Sequence, residues 1–119
     1  MADFNVSTRG VGSVKVIDVK GYLDAHTAPD LEREFNKLID EHDFKVVVNF
    51  DELKYISSAG LGVFMAYVET MRENSGDIKF SNMQDDVYNI FDLLGFPVLY
   101  EFFKDENDAI QKFGDSKID

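Results

Sequence analysis

The period of hydrophobic and polar positions changes repeatedly along the chain, and each change marks an element. Phe4 to Arg9 and Ser13 to Lys20 are short strand-like runs separated by Gly10-Val11-Gly12, which reads as the turn of an antiparallel pair. In the second run Val14, Val16 and Asp18 alternate with Lys15, Ile17 and Val19. Neither face is purely polar, so this strand belongs inside a sheet rather than at its rim. From Thr27, an N-cap type with Pro29 in the following turn, the period becomes helical and Leu31, Phe35, Leu38 and Ile39 share a face as far as Asp40. Lys45 to Phe50 is a β-branched run of the kind buried in a central strand, and the stretch after it reads as a loop.

A second helix is expected from Ser58 to Asn74, with Leu61, Phe64, Met65, Val68 and Met71 in one apolar stripe and Ser75-Gly76 as its stop. Ile78 to Ser81 reads as a short strand. A third helix from Asp85 carries Val87, Ile90, Phe91 and Leu94 on one face and ends at Gly95. Val98 to Phe103 reads as the last strand and Asn107 to Phe113 as a last short helix, with a tail from Gly114 to Asp119 expected to fray. The order β-β-α-β-α-β-α-β-α predicts an α/β fold: a mixed, mostly parallel sheet of about five strands with about four helices. At 119 residues, without repeats or linker-like segments, it fits one domain over 1–119.

Composition narrows the function. Hydrophobic residues make up 45% of the chain and eleven are Phe, enough for a real core. There is no cysteine, which excludes disulfides and thiolate metal sites and is compatible with a cytoplasmic location. The first residues lack the basic and apolar regions of a secretory signal, and no apolar stretch is long enough to span a bilayer. The net charge of −11 disfavours nucleic acid and direct membrane binding and favours a protein partner with a basic patch. No Walker A motif follows Gly10-Val11-Gly12. His26 and His42 are too far apart, among scattered carboxylates, to make a ligand set, and His26 with Asp24 reads as a solvated loop pair. No catalysis, metal or cofactor is expected.

Chemistry concentrates in Asp51 to Gly62, where the most buried strand leads into the most amphipathic helix. In open α/β sheets, ligands and partners meet the carboxyl ends of strands. Ser57 and Ser58 stand at a helix N-terminus, where free N–H groups and the helix dipole favour negative charge. Serine there is most often a cap, and position alone favours capping over modification. Gly60 and Gly62 each cost the helix about 1 kcal/mol relative to Ala. They read equally well as tight helix-on-sheet packing or as a bare exposed face for a partner.

Ile56-Ser57-Ser58-Ala59-Gly60-Leu61-Gly62-Val63 resembles the signature of STAS domains in anti-sigma factor antagonists. Gly21-Tyr22-Leu23-Asp24 with His26-Thr27-Ala28 is similar to a second element of that family. Val47 to Phe50 and Phe91 to Phe96 also stand where the family has them, so the resemblance runs over nearly the whole chain. It implies an anti-sigma factor antagonist that is not an enzyme. The unphosphorylated form would bind an anti-sigma factor, itself a serine kinase of the histidine-kinase-like ATPase superfamily, and so release a sigma factor. Phosphorylation at Ser58 would break that complex and a PP2C-type phosphatase would restore it. Asp24, Ser57, Ser58, Ala59, Gly60, Leu61 and Gly62 would form the partner face, in a protein monomeric outside its heterocomplexes. The family's usual acidic residue before the phosphoserine is Ser57 here, which makes Ser57 the second candidate acceptor. Asp24 reads equally well as an Asx-type loop carboxylate. The alternative within the family is an accessory subunit of a transport or other signalling complex.

Overall fold

The computed structural model describes residues 3–114, and all but Gly114 of the expected fraying tail lies outside them. Five strands form one sheet in sequential order: β1 (Phe4–Val11), β2 (Val14–Leu23), β3 (Lys45–Ile56), β4 (Asp77–Ser81) and β5 (Phe102–Phe103). β1 and β2 pair antiparallel through a tight turn in which Gly12 takes a positive φ of 62°. The other pairs are parallel, as alternation with helices requires. The helices are α1 (Ala28–Asp40), α2 (Ser58–Glu73), α3 (Asp85–Leu93), a single turn α4 (Phe96–Leu99) and α5 (Glu106–Gly114).

The mixed character of β2 has a direct cause: both faces of the sheet are covered. Ile17 and Val19 join the main core with Leu31 and Phe35 of α1 and Phe64 and Met71 of α2. Val14 and Val16 turn the other way and meet Ala109 and Phe113 of α5 in a smaller cluster. Phe50, Phe64, Phe80 and Phe91 fill the centre of the main core, all fully buried, with ring centroids 5.1–6.4 Å apart and mostly edge-to-face. On the opposite face α5 is held by charge as well. Arg9 donates to Glu106 at 2.5 and 3.0 Å and to Asp18 at 2.7 and 3.0 Å, while Asn49 donates to Glu106 at 2.8 Å. The Arg9 hydrogen bond, with a smaller contribution from Asn49, holds the Glu106 carboxyl below its ordinary range.

Four expectations need correction. First, Asp51 to Ile56 is strand, not loop: β3 runs on to Ile56 beside β2. Pairing slips between Asp18 and Lys20 and again between Gly21 and Tyr22, leaving extra residues in β3 at each slip. Phe50, Leu53 and Ile56 are therefore all buried on the main-core side at a spacing of three, which hides the period of two.

Second, the buried face of α2 is rotated. Gly60, Leu61, Val63, Phe64 and Met71 are buried and Val68 is partly so, while Met65 is 58% exposed. Third, Val98 and Leu99 are not strand. Gly95 takes a φ of 80°, α4 follows with Pro97 in its first turn, and only Phe102 and Phe103 pair with β4. The rings of Phe96 and Tyr100 stack at 5.1 Å, and Arg72 donates to the Leu99 carbonyl at 2.5 Å; both fasten this turn. Because α3 stops before it, Leu94 is 60% exposed instead of facing the core. Fourth, the Thr27 hydroxyl does not cap α1: it accepts from the Asp24 N–H at 2.9 Å and donates to the Tyr22 carbonyl at 2.9 Å.

Candidate functional site

The slips in pairing bring the carboxyl ends of β2 and β3 together. Leu23 pairs with Ile56, and one residue on the Ser57 N–H donates to the Leu23 carbonyl at 2.9 Å. That bond fixes the start of α2 against the loop that begins at Asp24, so two motifs distant in sequence form one surface.

Within it the serines differ. Ser57, with extended backbone, is the N-cap of α2; its hydroxyl accepts from the Gly60 N–H at 3.4 Å and its carbonyl accepts from Leu61 N–H at 3.0 Å. It is half-buried. Ser58 is the first helical residue, is exposed, and its hydroxyl makes no hydrogen bond among the described residues. α2 has no acidic residue in its first turn, so the positive end of its dipole is not neutralised locally. Ala59 beside it is exposed as well.

The glycines also divide. A Cβ on Gly60 would lie 2.8 Å from Leu23 Cγ, 2.9 Å from Ile56 Cγ1 and 3.1 Å from the Leu23 carbonyl oxygen. At Gly60 α2 lies tight against the ends of β2 and β3. A Cβ on Gly62 would meet nothing within 4 Å. Of the two readings of this pair, packing accounts for Gly60 and an open surface for Gly62.

Asp24 is built into its loop. Its Oδ1 accepts from the His26 N–H at 2.9 Å and the Thr27 N–H at 3.2 Å, and its carbonyl accepts from Ala28 N–H at 2.7 Å. This is the Asx geometry of one of its two readings, and it leaves the other carboxylate oxygen without a partner among the described residues. His26 touches Asp24 through its backbone N–H, not its ring. Leu61, 4% exposed, is mostly core with one edge at the surface.

Reading the sequence missed a neighbouring feature. Leu61, Gly62 and Met65 of α2 and Leu94, Phe96 and Leu99 of the α3–α4 turn line an apolar groove of about 310 Å³, and Ser58 lines it too. The Gly95-Phe96-Pro97 break was its sequence signal. Tyr22 and Tyr55, opposite each other on β2 and β3, are a second missed pair: 42% and 45% exposed, rings 6.1 Å apart. No group of three His, Asp or Glu able to hold a metal ion exists among the described residues, and no helix there is long and apolar enough to cross a membrane.

A five-stranded α/β domain that presents a helix N-terminus at its strand ends defines a class of small module. The particular family follows from comparison with known proteins. The family model of the STAS domain matches residues 5–109, and the chain belongs to that family. It is similar to the anti-sigma-B factor antagonist of Staphylococcus aureus, at 24% identity over 93 residues, 78% of this chain and 86% of that one. Among solved structures it is similar to an anti-sigma factor antagonist from Mycobacterium paratuberculosis, with a TM-score of 0.85, 19% identity, and 93% and 94% of the two chains covered. It is also similar to the anti-sigma factor antagonist SpoIIAA in its unphosphorylated form, with a TM-score of 0.77 and 20% identity over 92% of this chain and 95% of that one. The same fold occurs in the murine anion transporter Slc26a9, where the likeness has a TM-score of 0.74 at 15% identity and covers 89% of this chain but 18% of the transporter.

Proposed function

We propose that this protein is an anti-sigma factor antagonist switched by phosphorylation at Ser58. In its unphosphorylated form it binds an anti-sigma factor that is also a serine kinase of the histidine-kinase-like ATPase superfamily, which releases a sigma factor. Phosphorylation ends the complex and a PP2C-type phosphatase renews it. The chain acts by binding and performs no catalysis of its own; its place is the cytoplasm, and it is a monomer between complexes. The observation that carries this reading is the contrast between the serines. Ser57 spends its hydroxyl on the helix cap, while that of Ser58 is exposed and unpaired at the first helical position. A kinase can reach Ser58 without uncapping α2. The phosphate then adds about −2 charge beside free N–H donors, which hold it in place and leave the fold intact. Asp24 and residues 57–62 form the face that meets the partner.

The test uses wild-type and Ser58→Asp proteins as baits in native-host lysate, with mass spectrometry of what is retained. Recovery of a histidine-kinase-like ATPase by wild type and its loss with Ser58→Asp supports the switch. Recovery of transporter subunits, or of proteins indifferent to Ser58, refutes it and points to the accessory-subunit role. Phosphate incorporation should vanish in Ser58→Ala; stoichiometric labelling of that variant would move the acceptor to Ser57.

A further inference from the structure

Eight large apolar side chains are exposed among the described residues, and five of them belong to α2 or to the turn from α3 to α4: Met65, Leu93, Leu94, Val98 and Leu99, each 57–87% exposed. Such grouping is not the scatter of single exposed hydrophobics normal on a monomer, and contiguous apolar surface marks a site of interaction. The groove it surrounds has no charged residue in its lining, on a chain of net charge −11. It is an uncharged apolar groove on a chain that is acidic overall. Its complement is an apolar projection flanked by basic residues.

We propose that this groove is the anchoring pocket for the kinase partner, receiving an apolar side chain that the partner projects beside its active site. The inference rests on the switching function given above and adds the surface that provides its affinity. The position of Ser58 identifies the occupant, because Ser58 is itself part of the lining. An enzyme that brings its phosphate donor to the Ser58 hydroxyl must also cover the groove. A second copy of this chain seated there would shut Ser58 off from any kinase. The same geometry explains release: a phosphate on the rim must lose water whenever the groove is covered, and the apolar wall offers nothing in exchange. The phosphate thus opposes docking from the side, without entering the pocket.

The test titrates the purified ATPase recovered with the wild-type bait against wild-type protein, the double variant Leu94→Ser/Leu99→Ser, and Gly62→Gln. Both substituted leucines are more than half exposed, so the fold should survive, which circular dichroism and the urea midpoint verify. Anchor residues in interface pockets account for most of the affinity, so the double variant should bind at least about tenfold more weakly. Gly62→Gln, which fills the groove without removing any wall, should lose a similar factor even if the serine variant proves unstable. Val11→Ser, at the β1–β2 turn and outside the groove lining, should bind as wild type does. If both groove variants bind within about twofold of wild type while Ser58→Asp still dissociates, the anchoring pocket is wrong and the switch stands. If wild-type protein does not bind the ATPase at all, the switch fails and takes the pocket with it. Should sedimentation show a wild-type dimer that the leucine pair abolishes while ATPase affinity is unchanged, the occupant is a second copy and the proposal is overturned.

Discussion

Replacing Gly60 and Gly62 separately by alanine should move stability in opposite directions. Both residues lie near the start of α2, where glycine costs about 1 kcal/mol relative to alanine. At Gly62 a methyl group meets nothing within 4 Å, so Gly62→Ala should recover that preference and stabilise the fold by about 0.5–1 kcal/mol. At Gly60 the same methyl group falls 2.8 Å from Leu23 Cγ, 2.9 Å from Ile56 Cγ1 and 3.1 Å from the Leu23 carbonyl oxygen. The side chains can yield, but the carbonyl is fixed by its bond to Ser57 N–H. Overpacking of this kind costs about 1–3 kcal/mol, which outweighs the gain in helix preference. The difference between the two variants isolates the packing cost. Urea unfolding of wild type and both variants, at equal slopes, reads that difference from the midpoints. Thermal midpoints should separate in the same order, by about 4 °C per kcal/mol. If Gly60→Ala proves as stable as Gly62→Ala, α2 does not approach the ends of β2 and β3 as described, and the geometry assigned to the site is wrong.

Two further outcomes follow from local geometry. Ser57→Ala should destabilise the fold by about 0.5–1 kcal/mol, the lower part of the range for a lost N-cap because its bond is long, whereas Ser58→Ala should stay within about 0.5 kcal/mol of wild type; matched urea midpoints check this, and equal losses would void the division of roles. Glu106 has a folded pKa below its unfolded one, so its contribution is complete above the ordinary carboxylate range and disappears as pH falls through the depressed folded value. The stability gap between wild type and Glu106→Gln should therefore be open at pH 7 and shrink below about pH 4.3; a gap that widens on acidification contradicts the pairing with Arg9.

Element order was legible because strand and helix periods alternate cleanly from Phe4 to Phe91, and the hairpin because Gly12 permits its turn. What could not be read has particular causes. The far half of β3 was hidden because each slip in pairing inserts a residue, and Leu53 and Ile56 then break the period that identifies a strand. The rotation of α2 follows from Gly60, whose missing side chain brings one flank of the helix onto Leu23 and Ile56 and turns Met65 outward. Helical spacing gives a stripe but not the depth to which each edge sinks. The α4 turn was masked by strand-like composition from Val98 to Phe103, and only its tertiary anchors, the Phe96–Tyr100 stack and Arg72, decide its form. The site motif was conspicuous in sequence, yet the groove beside it was not, since its walls come from two elements whose exposed faces depend on those same tertiary details.

Gly62 links fold and function. Gly60 has a reason inside the fold: no side chain fits there. Gly62 has none, because its surroundings are open and its backbone is ordinary helix. Under the proposed function, a residue that weakens the helix without easing any contact finds its reason in a partner that comes close from outside. It lies one turn from Ser58, in the lining of the same groove, so a partner placed over Ser58 meets backbone there instead of a side chain. That arrangement would let the proposed anchor reach Leu61 and Phe96 in the groove lining while the Ser58 hydroxyl stays accessible beside it. The cap belongs to Ser57, the packing to Gly60 and the opening to Gly62. A phosphate placed at Ser58 would therefore disturb none of the contacts that hold the helix, and under the proposed switch its whole effect would fall on the surface where the partner docks.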